Sequence, residues 1–119
     1  MKQAISAGAT FVARTTHTNP NHVLQMMEAA MDHDGFSFIE CLSECVEFYE
    51  GAFDASNPRK GGVFNEVPKT HDVTDELAAY KLAGEPFPGN FGIFYKVNKR
   101  PRTRRKPRST NRSRAKSLA

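Results

Sequence analysis

The sequence predicts an α/β domain, a partial, open and mainly parallel sheet with helices, followed by a disordered basic tail. Short segments rich in Phe, Val and Ile alternate with a segment in which apolar residues recur at helical spacing. Every acidic residue lies before residue 99, whereas residues 99–119 contain 10 Lys and Arg. The length of 119 residues corresponds to one small domain, which disfavours a two-domain enzyme with an internal cleft.

The first half of the chain predicts a strand, a helix and a second strand. A short helix over residues 2–7 ends at Gly8, because glycine readily takes the left-handed conformation that follows a helix. Residues 9–14 form the first strand. Residues 36–42 form the second, and the length of the segment between them implies a right-handed parallel crossover.

The crossover helix has clear start and stop signals. Asn19 supplies a side-chain cap, and Pro20 suits the first turn of a helix that runs towards Gly35. Apolar residues at helical spacing predict its inward face: Val23, Met27, Ala30 and Met31. The three methionines of this helix, Met26 included, are interpreted as core or interface residues.

The second half predicts a loop, a helix and a third strand. Residues 51–70 are rich in Gly and Pro and form a long irregular loop. Asp72 or Thr74 then caps a helix that ends at Leu82, with acidic residues in its first turn. Residues 91–97 form a largely buried strand.

The charge distribution divides the chain into two parts. Residues 1–98 contain 7 Lys or Arg and 13 Asp or Glu, a net charge of −6, whereas residues 99–119 have a charge of +10. The tail repels itself and offers almost no apolar surface, so we expect it to be disordered beyond a boundary near Asn98. No run of 18 apolar residues and no secretory signal pattern is present, which predicts a cytoplasmic protein without membrane contact.

Two cysteines are candidate site residues. Cys45 follows the second strand, and open α/β sheets bind ligands beyond the carboxyl ends of their strands. The alternative for Cys45 is a small buried apolar residue. Cys41 lies within the strand and is expected in the core, because Cys-x-x-x-Cys without further cysteines is a weak metal signal.

Other polar residues receive structural interpretations. Residues 14–17 follow the first strand, where they either contact a ligand or, as we favour, form a surface loop. The histidines lack paired ligand spacing and are expected to face solvent or cap helices: His17, His22, His33 and His71. Four acids are expected to form a solvated or subunit-facing edge: Glu40, Glu44, Glu47 and Glu50.

Several segments in this order resemble a known family. The chain over about residues 2–101 is similar to the C-terminal part of the thiamine-diphosphate-binding β subunit of 2-oxoacid:ferredoxin oxidoreductases, of the 2-oxoglutarate type. The segments that carry the resemblance are residues 7–14, the helix from Pro20, and residues 35–40, 42–46, 71–75 and 91–95.

The resemblance implies an activity, cofactors and partners. The activity is oxidative decarboxylation of a 2-oxoacid to an acyl-coenzyme A, with electrons passed through an iron–sulfur cluster to ferredoxin. The implied cofactors are thiamine diphosphate, Mg²⁺ and a [4Fe–4S] cluster, and the partners are the α subunit, ferredoxin, coenzyme A and the 2-oxoacid. Cys45 matches the fourth cysteine ligand of the cluster.

The sequence also departs from the family pattern. The Gly-Asp-Gly motif and the downstream Asn that hold magnesium and diphosphate are absent, and Asp34-Gly35 follows His33 and is interpreted as a helix cap. A [4Fe–4S] cluster needs four thiolates, which Cys45 alone does not provide. We therefore expect a truncated subunit with no catalytic or cofactor-binding residue of its own, inactive and without stable cofactors when alone.

Two alternatives remain. The tail, residues 99–119, could bind nucleic acid or another polyanion non-specifically through phosphate contacts, since no aromatic residue lies among its basic residues. Alternatively, the chain folds only when docked on a partner, because a sheet that lacks strands exposes an unpaired edge and favours oligomers.

Overall fold

The computed structural model describes residues 1–87 and 89–98. It contains three helices, α1 (Lys2–Ser6), α2 (Pro20–Met31) and α3 (Glu76–Leu82), and three strands, β1 (Phe11–Thr16), β2 (Ser37–Leu42) and β3 (Gly92–Lys96). Two short 3-10 turns, Asp54–Ser56 and Pro58–Lys60, lie within the predicted irregular loop. The predicted basic tail, residues 99–119, lies outside the described residues.

The strands form one sheet in the order β2-β1-β3. β1 and β2 are parallel, from Phe11 opposite Ser37 to Thr16 opposite Leu42, as the predicted crossover requires. β3 runs antiparallel to β1 with a register shift between Val12 and Ala13. The predicted α/β class is confirmed, and the antiparallel third strand makes the sheet mixed.

The core lies on both faces of the sheet because alternate residues of β1 point to opposite sides. Phe11 and Ala13 pack with Met26 of α2 on one face. On the other face Val12 belongs to a cluster with residues of α1, the turn after it, α3 and β3: Ile5, Ala9, Ala79, Phe94 and Tyr95. Both layers of helices therefore depend on the central position of β1.

Helix α2 begins as predicted but buries a different face. The Asn19 side chain accepts a hydrogen bond from the backbone N–H of His22 at 3.2 Å. His22 and Met26 are buried, whereas Met27 and Met31 are 49% and 76% exposed. The predicted inward orientation of Met27 and Met31 is wrong, because the contact face follows positions 22, 26, 29 and 30, about 100° around the helix.

The N-cap of α3 also differs from the prediction. Asp75, rather than Asp72 or Thr74, caps the helix and accepts hydrogen bonds from the backbone N–H groups of Leu77 and Ala78 at 3.0 and 3.2 Å. Asp72 instead accepts from the hydroxyl and the backbone N–H of Thr74, and these bonds lower the pKa of its carboxyl. The local turn therefore occupies the side chain that was expected to start the helix.

Gly8 and Gly35 have positive φ for different reasons. Gly8 follows α1 with φ +94°, as predicted. The C-cap of α2 is Asp32, so Asp34-Gly35 is not the cap that the sequence predicted. Gly35 has φ +155°, and a Cβ there would collide with the Thr10 hydroxyl. Gly35 therefore allows the chain to pass close to the start of β1.

We expect Asn19→Ala to lower the free energy of unfolding by about 1 kcal/mol, because the substitution leaves an N-terminal N–H of α2 without its acceptor. Urea denaturation followed by circular dichroism measures this change. Asn21→Ala is the matched control, since Asn21 is exposed within the same turn and is not the capping residue. Equal effects of the two substitutions would contradict the capping role.

Candidate functional site

The carboxyl ends of β1 and β2 lie side by side at one end of the sheet because the two strands are parallel. The Leu42 carbonyl accepts three hydrogen bonds there, from the backbone N–H of His17 at 3.0 Å, its Nδ1 at 3.2 Å and the Thr16 hydroxyl at 3.3 Å. One carbonyl at the end of β2 therefore fixes the turn that leaves β1. His17 itself is exposed, as predicted.

The structure does not support a surface loop over residues 14–17. Thr15 and Thr16 belong to β1 and are fully buried. Arg14 donates from Nε to Glu40 at 2.6 Å, and its guanidinium lies 5.5 Å from the centre of the Phe94 ring. Arg14 and Glu40 therefore join β1 to β2, which gives Glu40 a structural role within the sheet.

Cys45 lies three residues beyond β2 and is exposed. Its carbonyl accepts hydrogen bonds from the backbone N–H groups of Phe48 and Tyr49 at 3.2 and 2.8 Å, so Cys45 begins a tight turn. The neighbouring Glu44 carboxylate accepts from the Gly51 N–H at 3.1 Å and holds the far side of this turn. The thiol is therefore accessible, and the alternative prediction that Cys45 is a small buried apolar residue is wrong.

Cys41 is also exposed, so its predicted position in the core is wrong. Its register partner on β1, Thr15, is fully buried. The difference arises because β1 is central in the sheet, whereas β2 has no strand on its far side in the described part of the chain. Sequence periodicity identifies a strand but does not show which strand lies at the edge.

The residues present fit part of an iron–sulfur site and do not fit a magnesium–diphosphate site. A [4Fe–4S] cluster takes four thiolates, and Cys45 offers one accessible sulfur. Within residues 1–87 and 89–98, no group of three or more His, Cys, Asp or Glu side chains is arranged to hold a metal ion.

Two histidines that were expected to face solvent or cap helices are buried instead. His33 shares a hydrogen bond of 2.8 Å with the Thr10 hydroxyl, and its Nδ1 is buried without a partner among the described residues. His22 shares a hydrogen bond of 2.8 Å with the Thr15 hydroxyl. His71 is half-buried and donates from Nε2 to the Phe94 carbonyl at 2.7 Å. All three join loops or helices to the sheet.

His22 lines an open groove of about 360 Å³ between α2, β3 and the loop before α3, together with Glu66, Lys69 and His71. Burial lowers the pKa of His22 from its ordinary value of 6.5, and the charge of Glu66 opposes this effect. The ring also makes an edge-on contact with Phe64 at 5.0 Å between centres. Positions 22, 26 and 30 are four residues apart and share one face of α2, so this spacing is the sequence signal that predicts a buried His22.

Comparisons with known proteins extend these observations. No protein-family model matches the chain. Over 55 residues it is 42% identical to 2-oxoglutarate synthase subunit KorB of Methanocaldococcus jannaschii, an alignment that spans 46% of this chain and 20% of that protein. Over 66 residues it is 38% identical to 2-oxoglutarate oxidoreductase subunit KorB of Mycobacterium tuberculosis, spanning 56% of this chain and 17% of the relative.

A solved structure gives the same result. The fold matches 2-oxoglutarate:ferredoxin oxidoreductase from Magnetococcus marinus, determined with 2-oxoglutarate, coenzyme A and succinyl-CoA bound. The TM-score is 0.64 at 26% identity, and the match covers 82% of this chain and 33% of that chain.

The comparisons define a class and then a particular subunit. The chain has the fold and sequence features of part of a 2-oxoacid oxidoreductase subunit, which confirms the resemblance inferred from the sequence. More narrowly, it is similar to a part of KorB, the β subunit of 2-oxoglutarate:ferredoxin oxidoreductase. It spans about one fifth of the length of the curated relatives. None of the described helices has the length and apolar character needed to cross a membrane.

The buried imidazole of His22 makes stability depend on pH. Its pKa is lower in the folded than in the unfolded chain, so the unfolded state binds more protons below pH 6.5 and acidification favours unfolding. We expect the melting temperature to fall more between about pH 7.5 and about pH 5.5 in the natural chain than in His22→Gln. His17→Gln, at an exposed histidine, is the control, and equal pH slopes for His22→Gln and the natural chain would refute the assignment.

Proposed function

We propose that this chain works as part of the β subunit of a 2-oxoglutarate:ferredoxin oxidoreductase. The complete enzyme would convert 2-oxoglutarate and coenzyme A to succinyl-coenzyme A and carbon dioxide, and two ferredoxin molecules would each accept one electron. The fold match over 82% of the chain, together with the KorB similarity, carries this proposal. The further proposed partner is the α subunit.

We propose Cys45 as one of four cysteine ligands of a [4Fe–4S] cluster. Its support is the exposed thiol at the edge where the two parallel strands end, on a turn whose backbone is fixed by hydrogen bonds to the Cys45 carbonyl. When bound, the cluster supplies one-electron transfer to ferredoxin. Cys45 would contribute a thiolate, and the three other cysteines would belong to polypeptide outside this chain.

The proposal assigns thiamine diphosphate and Mg²⁺ to polypeptide outside this chain as well. The described residues lack an arranged set of metal-binding side chains, which supports an incomplete site. We therefore propose that the chain alone is inactive. Its two exposed free cysteines support the proposed cytoplasmic location, since thiols stay reduced in that compartment.

A chimera tests the role of Cys45. Residues 1–98 would replace the region of Methanocaldococcus jannaschii KorB that corresponds to them, which is longer than the 55 aligned residues and includes them. The chimera would be expressed with its natural partner subunit under anaerobic conditions. The chimera should contain about four iron atoms, and Cys45→Ser should remove most of them. The visible absorbance and the electron paramagnetic resonance signal of the reduced cluster should be lost with the iron. Ferredoxin reduction with 2-oxoglutarate and coenzyme A should fall in parallel.

Cys41→Ser is the matched control for this experiment, because Cys41 is an exposed thiol only four residues away. The control should retain iron, spectrum and activity. Full iron content and activity in the Cys45→Ser chimera would show that this thiol is not a ligand. If the chimera with Cys45 intact contains the cluster but does not reduce ferredoxin, the proposed activity is contradicted and the ligand role of Cys45 is not.

We propose a second, separate property for the tail, residues 99–119, which lies outside the described part of the structure. Its 10 Lys and Arg residues without an acidic residue favour non-specific binding of polyanions. Filter binding of poly(U) by the full chain should weaken steeply with salt, with a logarithmic slope of up to roughly −7 if every basic residue contacts a phosphate. Deletion of residues 99–119 should abolish binding, and undiminished binding by the shortened chain would refute this role.

A further inference from the structure

We propose that the groove beside β3 binds the basic tail of the same chain, residues 99–119. The groove is the one lined by His22, Glu66, Lys69 and His71. This internal contact is independent of the oxidoreductase function. A docked tail is less available to other molecules, so the contact competes with the polyanion binding proposed for the tail.

His22 presents a hydrogen-bond donor to the groove. The residue is only 5% exposed, and its Nδ1 shares a hydrogen bond of 2.8 Å with the buried Thr15 hydroxyl. This hydroxyl has no other partner among the described residues, so it donates its hydrogen to Nδ1. Burial lowers the pKa of His22 and keeps the ring neutral, which places the remaining hydrogen on Nε2. No described residue bonds to Nε2, and Nε2–H is therefore a free donor where His22 lines the groove.

The groove combines donors with a carboxylate. Glu66 pairs with Phe91 beside β3, and its charge acts on His22. The side chains of Glu66 and Lys69 are exposed, and neither forms an ion pair within the described part of the chain. A simple anion would meet Glu66, and a simple cation would meet Lys69. A basic peptide suits both, because its carbonyls accept from Nε2–H and the ammonium group while a guanidinium donates to the carboxylate.

The other lining side chains of the groove are largely apolar. They are Met26, Val67, Pro68, Val73, Phe91 and Ile93. The long stems of Arg and Lys pack against apolar surface while their charged ends stay with polar groups. The lining therefore suits an extended segment with long basic side chains better than a small polar solute.

The tail begins close to this groove. Val73 lines the groove, and its carbonyl accepts a hydrogen bond of 2.8 Å from the backbone N–H of Lys96 at the end of β3. The five residues of β3 extend over about 17 Å at about 3.4 Å per residue. Six extended residues beyond Asn98 cover about 20 Å. The tail from Arg104 onward therefore reaches the full length of the groove along β3.

Charge and tethering favour the chain's own tail over the tail of a second copy. Residues 1–98 have a net charge of −6 and residues 99–119 a charge of +10, so the domain attracts the tail. A short flexible linker gives the tethered tail an effective concentration in the millimolar range. At about 10 μM protein, the tail of a second copy is roughly 100-fold more dilute. The contact within one chain therefore prevails.

Paramagnetic relaxation tests the contact in the full chain of 119 residues. A nitroxide would be attached at Ser109→Cys, after Cys41→Ser and Cys45→Ser remove the natural thiols. We expect the label to broaden the amide signal of Gln25, which lines the groove on α2, at about 0.02 M salt. The broadening should fall several-fold at about 0.5 M salt, because screening weakens contacts between charged groups. Glu47 lies outside the lining, and its amide is the reference.

Glu66→Gln identifies the groove as the site. It removes the carboxylate that a guanidinium would contact and should abolish most of the broadening at Gln25. Glu47→Gln is the matched control, since it removes the same charge from an exposed residue outside the groove and should retain the broadening.

A mixture of chains tests whether the contact lies within one chain. An isotope-labelled chain without nitroxide would be combined with an unlabelled chain that carries the nitroxide at Ser109→Cys. We expect little broadening at Gln25 in this mixture, because the tail of a second copy is dilute compared with the tethered tail.

Release of the tail should also strengthen polyanion binding. A tail that is docked in four fifths of the chains has an apparent affinity about five-fold below its intrinsic affinity. At low salt we therefore expect Glu66→Gln to bind poly(U) about five-fold more tightly than the natural chain, and Glu47→Gln to change binding by less than about two-fold. Filter binding measures both changes.

The outcomes separate this proposal from the proposed function. Broadening at Gln25 that is lost in Glu66→Gln and retained in Glu47→Gln supports the docked tail, whatever the iron content of the KorB chimera. Equal broadening in the two variants, equal broadening at Gln25 and Glu47, or a full chain without the amide spectrum of a folded protein would overturn it. Broadening in the mixture as strong as within one chain would also overturn it, since a second copy would then supply the tail. Specific broadening in a chain that does not bind poly(U) would support the docked tail and refute the polyanion role.

Discussion

The parallel ladder between β1 and β2 is the constraint on which the rest of the structure depends. Its regular register fixes the direction of both strands and brings Thr16 and Leu42 to the same edge of the sheet. β1 places buried residues on both faces of the sheet, Phe11 and Ala13 on one side and Val12 on the other. Loss of this pairing would separate the helices from their common support and displace the turn that carries Cys45.

The same ladder explains how a small unit can hold an accessible thiol in a defined place. The Leu42 carbonyl joins the two strand ends, and the Cys45 carbonyl organises the turn that follows. Backbone hydrogen bonds thus position Cys45 without burying it. The proposed ligand role of Cys45 uses this exposed thiol in a fixed turn, and no group of three or more metal-binding side chains is arranged around it within the described residues.

The wrong predictions of burial have a common physical reason. Helical spacing predicts an inward position for Met27 and Met31, and strand position predicts a core position for Cys41. The lack of paired ligand spacing predicts solvent-facing or capping roles for His22 and His33. In the structure the histidines find hydroxyl partners in Thr15 and Thr10, which offsets part of the cost of burial. Local pattern shows how often a residue type is buried, but partners that are distant in sequence decide whether a polar ring is satisfied.

The sequence by itself determined the α/β class, the strand–helix–strand unit, the cap at Asn19 and the resemblance to an oxidoreductase subunit, because periodicity, capping chemistry and motif order are local properties. Only the tertiary structure decided the antiparallel direction of β3, the edge position of β2 and the exposure of Cys41 and Cys45. These features depend on which strands become neighbours, and that choice is made by contacts between residues far apart in the chain.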